Sequence, residues 1–540
     1  MEGIPAPEGP ANLIDTDYVI GQDNITASPL GINVDLHGKV FTISSLLILF
    51  FVIITLALQN QVAPIFDATF SFLTGNLSWV FLLGSNIFVL VSLGIALSPL
   101  GRVRIGGAHA RPEFSYAGWF AMLFAAGMGI GLMFYGVSEP LTHFGTAMGG
   151  TTVENGVRTD WAPLGAAAGD QAAAIDLSMA STILHYGVHP WGSYAIVGLA
   201  LAIFAFNKGL PLTMRSIFYP ILGERIWGWP GHLIDILAVF STLFGLATSL
   251  GLGASQAAAG LSYLFDVPNS NVTIVLLVMG VTAMALVSIM LGVDKGVQRL
   301  SQLNMILAFL LLVFVIIVGP TLLIATGFFE NLIAYAVHLP ALSMPFGRDD
   351  ANFSQGWTAF YLAWWISWSP FVGMFIARVS RGRTVREFLI AVLLVPTLVA
   401  VLWMTAFGGT AIDQLISDGF QGAKDAALEL KLFVMLGQLP LSEITSFVGI
   451  VLVIVFFVTS SDSGSLVIDS ITAGGKVDAP KTQRVFWAVI EGAIAIALLL
   501  GGGLSALQSA AVSTGLPFTI VLIFGCYAVV KGLMSEPRAK

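Results

Sequence analysis

Residues 357–370 read Trp357-Thr-Ala-Phe-Tyr-Leu-Ala-Trp364-Trp365-Ile-Ser-Trp368-Ser-Pro370, with four tryptophans and a tyrosine inside twelve residues of an uncharged stretch. On a helix, Trp357, Tyr361, Trp364 or Trp365, and Trp368 recur at helical spacing and share one face. Indole faces attract cations, and cages of such rings recognise quaternary ammonium groups. An apolar helix lined on one side by indoles therefore predicts a membrane-buried box for a permanently charged methylated cation.

The rest of the chain supports a membrane setting. Of its 540 residues 56% are hydrophobic and 10% charged, against about 25% charged in soluble domains. A net charge of −8 argues against nucleic acid and against a basic membrane-surface module. The single cysteine, Cys526, excludes a disulfide framework. No phosphate-binding Gly-x-x-x-x-Gly-Lys-Ser/Thr string is present, which argues against an ATP-driven pump. No nucleophile–base pair or metal cluster converges in the sequence, so an enzyme is a poor fit. The first forty residues lack the cationic and apolar regions of a cleaved signal. They read as a polar, acidic, loosely ordered tail.

A spanning helix needs about 20 apolar residues. Twelve such stretches are predicted, over residues 39–58, 78–98, 115–136, 174–204, 232–262, 272–292, 299–326, 356–377, 386–407, 444–472, 484–502 and 516–533. With both termini cytoplasmic, only Arg158, Arg348, Lys424 and Lys431 of the 23 lysines and arginines fall outside. That bias obeys the positive-inside rule, and a missed span would invert it. External loops are expected at 137–172, 327–355 and 408–443, with an interfacial helix over Phe328–His338.

Several spans carry unusual residues. The third contains Ala125-Ala-Gly127-Met128-Gly129-Ile130-Gly131. Either its small residues allow a close helix crossing, or the helix is interrupted there and its free amides face an anionic group. The tenth holds Thr459-Ser460-Ser461-Asp462-Ser463. Its hydroxyls offer oxygen ligands to a hard monovalent cation, or bond back to helical carbonyls. Asp462 and Asp469 are expected to cap or pair. In the fourth, Tyr186, Trp191 and Tyr194 offer a second aromatic wall, and Pro190 predicts a kink. His185 and His189 are four apart but lack a third ligand, and His189 is expected to bond a backbone carbonyl. The run Arg378-Val-Ser-Arg381-Gly-Arg383-Thr-Val-Arg386 reads as a cytoplasmic anchor, or as a set of partners for acidic groups at an inner gate.

Three strings resemble the betaine/choline/carnitine transporter family: Gly127-Met-Gly-Ile-Gly-Leu-Met-Phe-Tyr-Gly-Val-Ser-Glu-Pro140, His189-Pro-Trp191, and Trp364-Trp-Ile-Ser-Trp-Ser-Pro-Phe-Val-Gly-Met-Phe-Ile-Ala-Arg378. The likeness runs from about residue 40 to residue 533. It implies an all-α membrane protein of twelve transmembrane helices, with two inverted five-helix repeats (LeuT-like) preceded by two extra helices. Residues 1–38 would be a cytoplasmic tail, 39–100 the leading helices, 101–326 and 356–533 the repeats, 327–355 the interfacial segment, and 534–540 a short tail. A homotrimer in a bacterial inner membrane is implied as well.

The resemblance also implies site residues. Trp191, Tyr194, Trp364, Trp365 and Trp368 would form the cation box, with Tyr186 where some betaine importers have tryptophan. Amides around Ala126, Met128, Gly129 and Ile130 would meet a substrate carboxylate. Ala125, Met128 and Phe456 carbonyls with Thr459 and Ser460 hydroxyls would hold one sodium ion. Thr242 and Phe371 match part of a second sodium site, but Leu246 stands where its second threonine is expected. The function implied is sodium-coupled import, by alternating access, of a compact zwitterion such as glycine betaine or dimethylsulfoniopropionate, with no cofactor beyond the coupling ion. A sodium-independent exchanger or a proton-coupled carrier of choline or carnitine remains the alternative.

Overall fold

A computed structural model describes residues 4–28, 31, 33–127, 129–291, 294–476 and 478–538. Glycine and proline set where its long apolar runs start, stop and break. A hairpin, β1 (Asn24–Ala27) and β2 (Val34–His37), precedes α1 (Val40–Ala57) and α2 (Gln59–Leu97). The third apolar run folds as α3 (Tyr116–Gly127) and α4 (Ile130–Gly149), and a short hairpin, β3 (Val153–Glu154) and β4 (Val157–Arg158), follows. Next come α5 (Gln171–Tyr186), α6 (Val188–Ala202), α7 (Trp229–Phe265), α8 (Asn271–Leu291), α9 (Asp294–Val318) and α10 (Thr321–Leu342). The remaining long helices are α11 (Ala359–Val379), α12 (Val385–Ser417), α13 (Ser442–Thr472) and α14 (Lys481–Met534).

Among the described residues, eleven helical stretches are long and apolar enough to cross a membrane. The protein is a multi-pass helical membrane protein. Eleven differs from the predicted twelve for three local reasons. The third run is cut into two shorter pieces, α3 and α4. The last two predicted spans, 484–502 and 516–533, count as one stretch, α14, although it is two helices meeting at a kink where Gly502 and Gly503 leave the helical conformation, the latter at φ +62°. The expected interfacial helix begins at Thr321 rather than residue 328, because Gly319-Pro320 ends α9 early, and at 22 residues α10 counts among the eleven.

Burial separates the helices by role. The α5–α6 pair and α7 are sheathed by neighbours, whereas α8, α9 and α10 leave most of their apolar side chains uncovered, as lipid-facing helices do. The predicted kink at Pro190 falls instead at Gly187, between α5 and α6. Proline is tolerated in the first turn of a helix, where its missing N–H has no acceptor. A Cβ on Gly187 would lie 2.7 Å from the Ile183 carbonyl oxygen and 2.9 Å from the Tyr335 hydroxyl. Gly187→Ala is therefore expected to destabilise the protein by about 1–3 kcal/mol, the usual range for overpacking, read as a lower melting temperature in detergent.

Both chain ends and the basic loops meet on one face. Val103 pairs with Arg538, and Arg104 with Thr384. Lys208 forms a buried 2.8 Å ion pair with Glu536. Lys476 joins Asp35 at 2.5 Å. Arg381 reaches Glu8 at 2.8 Å and Glu113 at 3.5 Å, so this arginine does find acidic partners. The amino-terminal tail is not loose as expected. Its hairpin donates from Asn24 to the Ala473 carbonyl at 2.9 Å, and Tyr18 stacks on Trp227 at 3.8 Å. Lys540, the last of the basic residues assigned to this face, lies outside the described residues.

On the opposite face the 150–170 loop locks onto the segment before α11. Arg158 pairs with Asp160 at 2.8 Å and Asp349 at 3.1 Å, and the Leu164 amide donates to Asp350 at 2.7 Å. The Arg158 guanidinium and the Thr152 and Ala162 amides pull the Asp160 carboxyl down to about 2. Because the folded value lies below the ordinary 3.8, this contribution is complete above the ordinary value and disappears as pH falls through about 2. Limited proteolysis is expected to find the loop as resistant at pH near 5 as at neutrality, with opening confined to stronger acid.

Candidate functional site

Each glycine costs a helix about 1 kcal/mol relative to alanine, and Gly127-Met128-Gly129 ends one. Helix α3 stops at Gly127, Gly129 is extended (φ −162°, ψ −174°), and α4 starts at Ile130. The Ile130 and Gly131 amides at the start of α4 consequently have no helical acceptors and carry the positive end of its dipole, whereas Leu132 already reaches the Gly129 carbonyl at 3.1 Å. Met128, expected to supply an amide and a sodium-ligating carbonyl, lies outside the described residues.

The break opens on a cavity of about 60 Å³. Ala126, Gly129 and Ile130 form one wall, and Tyr186 and Tyr194 a second. Trp364, Trp365 and Trp368 of α11 form the third, and Ser249 of α7 and Ser460 of α13 also line it. One water needs about 10–15 Å³ on this measure, so the cavity has room for a compact molecule of a few heavy atoms.

The rings are held in specific orientations. Trp364 donates from Nε1 to Ser249 Oγ at 3.0 Å, and Trp368 to the Gly245 carbonyl at 3.0 Å. Trp365 is held by other rings, its centroid 5.7 Å from Tyr186, 5.5 Å from Tyr194 and 6.1 Å from Trp191. The sequence left Trp364 or Trp365 open as the inward member, and both reach the cavity. Trp191 does not line it. This ring sits behind, edge-on to Tyr194 at 5.1 Å. The outermost member of the stripe, Trp357, packs instead on His143 at 4.8 Å. Gly131 lets α4 approach the rings, since a Cβ there would stand 3.3 Å from Tyr186 and 3.5 Å from Trp364. The Tyr186 hydroxyl donates to the Gly131 carbonyl at 3.1 Å. Removing the Ser249 hydroxyl leaves the buried Trp364 N–H without its acceptor. Ser249→Ala is expected to cost about 1–3 kcal/mol, measurable as a lower melting temperature together with weaker ligand binding.

A second cavity of about 220 Å³ adjoins the first, sharing Ala126, Trp368 and Ser460. It brings together Ala125, Phe456, Thr459 and Ser460, which are the described members of the expected first sodium set. In this conformation Thr459 donates back to the Val455 carbonyl at 3.0 Å and the Phe456 carbonyl at 3.1 Å. Phe371 lines this cavity, but Thr242 does not. Thr242 is fully buried and donates to the Ala238 carbonyl at 2.8 Å. At the expected second-threonine position Leu246 packs on Gly464, where a Cβ would lie 2.3 Å from its Cδ1. Asp462 pairs with Arg484, and Asp469 accepts from Gln483 at 3.1 Å, as expected of capping or pairing groups.

Two features were missed. His189 bonds the Asn86 side chain at 2.8 Å rather than a backbone carbonyl. His185 has close partners after all, Glu139 at 2.5 Å and, 6.1 Å away between ring centroids, His143. The available signal was Glu139 and His143 four residues apart in one helix.

A spanning-helix protein that encloses a small aromatic chamber at a broken helix has the construction of a substrate-binding membrane transporter. The sequence matches the betaine/carnitine/choline family of transporters over residues 39–538. It is 63% identical to a glycine betaine/proline/choline transporter of Vibrio parahaemolyticus, over 99% of this chain and 97% of the relative. Identity is 51% to a glycine betaine transporter of the same organism, over 96% and 97% of the two chains. A glycine betaine transporter of Acinetobacter baylyi is 40% identical, over 93% and 74%. The chain belongs to the betaine/carnitine/choline transporter family, and it is a transporter rather than an enzyme.

Proposed function

We propose that the protein is a sodium-coupled importer of a small methylated zwitterion, of the glycine betaine or dimethylsulfoniopropionate type. The observation that carries this reading is the pairing, across one small chamber, of helix-start amides at Gly129 and Ile130 with the rings of Tyr186, Tyr194, Trp365 and Trp368. A carboxylate suits the amides and a quaternary ammonium or sulfonium suits the rings. A zwitterion satisfies both without burying a net charge. The names of the relatives, which include glycine betaine in each case, point the same way.

Sodium fits the adjoining cavity, where the Ala125 and Phe456 carbonyls and the Thr459 and Ser460 hydroxyls offer hard oxygen ligands. One sodium ion per cycle would contribute about 2.3 kcal/mol per 100 mV to uphill accumulation. Alternating access would rock one bundle around the chamber. In the proposed architecture 101–326 and 356–533 are the inverted repeats, and their leading helices, broken α3/α4 and α11, both border the chamber. We place both termini in the cytoplasm of a bacterial cell, because the basic loops gather around them, and the assembly as a homotrimer, which light scattering of the detergent-solubilised protein tests.

Binding competition against radiolabelled glycine betaine tests the substrate class. Trimethylated and sulfonium zwitterions are expected to compete strongly, and demethylated glycine weakly. Equal competition by glycine would reject the aromatic box as the basis of selection.

A further inference from the structure

Beyond the aromatic chamber, Glu139, His143 and His185 converge in the buried interior. Glu139 Oε1 lies 2.5 Å from His185 Nδ1 and 3.2 Å from His143 Nε2. One ligand atom from each side chain falls within 4.8 Å of the other two, and all three residues are fully buried. We propose that these residues form a binding site for a first-row divalent metal ion of the zinc class, distinct from the sodium set of α3 and α13.

Helical geometry builds the site. Glu139 and His143 are four apart on α4 and project from one face. His185 comes from the last turn of α5, and its ring is fixed by stacking on Tyr361 at 4.6 Å. Two neutral imidazoles could each donate to Glu139 Oε1, which accounts for that oxygen without an ion. His143 Nδ1 is then left buried with no hydrogen-bond partner, and Glu139 Oε2 has only the neighbouring Tyr361 hydroxyl to turn to. A bound ion uses the open lone pairs of the carboxylate, which a bare hydrogen-bonded cluster does not. His185 also has the outer contact typical of a metal-bound imidazole. Its remote Nε2 lies 2.9 Å from Thr358 Oγ1, so an Nε2–H donating there leaves Nδ1 free for the metal.

Ligand chemistry selects the metal. Two imidazoles and one carboxylate suit zinc, cobalt, nickel or iron(II), whereas magnesium and calcium prefer all-oxygen sites. Zinc–nitrogen and zinc–oxygen bonds of about 2.0–2.2 Å place donors a little over 3 Å apart, so ion entry requires Glu139 Oε1 and His185 Nδ1 to separate from 2.5 Å, while the 3.2 Å between Glu139 Oε1 and His143 Nε2 already suits it. The ion would tie α4 to α5 and, through Thr358, to the start of α11. This proposal does not depend on which molecule is transported.

Cobalt(II) is the probe of choice, because its visible ligand-field bands report coordination. The purified full-length protein is expected to bind one Co²⁺ per chain, to release it on addition of Zn²⁺, and to melt at a higher temperature with Zn²⁺ than with a chelator. Thr358→Val is expected to weaken Zn²⁺ binding by about tenfold, as loss of an outer contact does, and His143→Asn with His185→Asn to abolish it. Circular dichroism and gel-filtration profiles of these variants report whether they fold. Wild-type protein that shows no Co²⁺ bands and retains no Zn²⁺ after gel filtration overturns the proposal, whether or not any variant folds. Undiminished Co²⁺ binding in a folded double histidine variant overturns it equally.

Discussion

Trp365→Ala is expected to weaken glycine betaine binding by about thirtyfold, the equivalent of one desolvated cation–π contact of about 2 kcal/mol. This ring borders the chamber and is itself enclosed by Tyr186, Trp191 and Tyr194. Its loss removes a cation-facing surface and unsettles the opposite wall. Trp365→Phe keeps a weaker aromatic face and should recover part of the affinity. Trp191→Ala is expected to cost less, because Trp191 acts only by supporting Tyr194 and Trp365 from behind. Titration calorimetry on purified protein measures all three. Unchanged affinity in Trp365→Ala would remove the aromatic box from the site.

A still larger effect is expected at Gly131. A leucine there would start from a Cβ already 3.3 Å from Tyr186 and 3.5 Å from Trp364, and extend three more carbons into a cavity of about 60 Å³. Saturable binding should be lost while the protein remains folded. Gly131→Ala should be intermediate, since Tyr186 must yield by tenths of an ångström and its hydroxyl bond to the Gly131 carbonyl is disturbed. The control is two residues away. Gly129 is extended and a Cβ there meets no protein atom within 4 Å, so Gly129→Ala keeps the backbone amide and should weaken binding less than Gly131→Ala. Equal loss in the two alanine variants would show that the glycines serve only backbone flexibility.

The membrane architecture was legible because uncharged runs and one-sided lysines and arginines are strong, additive signals. Gly127-Met128-Gly129 was legible as a break or a close crossing, and the structure chooses the break because Gly129 leaves the helical conformation. Other features depended on packing that a sequence does not display. Gly187 rather than Pro190 divides the fourth span, and the Tyr335 side chain that leaves no room for a Cβ there comes from a distant part of the chain. Trp191 lies behind the aromatic wall rather than in it, a depth that helical spacing alone cannot assign. Gly464 admits Leu246, and that contact between α7 and α13 joins residues far apart in the chain. Similarly, His185 meets Glu139 only once α5 lies against α4.

The central claim is that a sodium gradient drives this chamber to concentrate a methylated zwitterion. Radiolabelled glycine betaine uptake by proteoliposomes, with an inward sodium gradient and with potassium in its place, tests it most directly. The account predicts saturable accumulation above equilibrium only with sodium, reduced when Thr459 and Ser460 are both replaced by alanine. Equal uptake in sodium and potassium would contradict it and favour the exchanger or proton-coupled alternative.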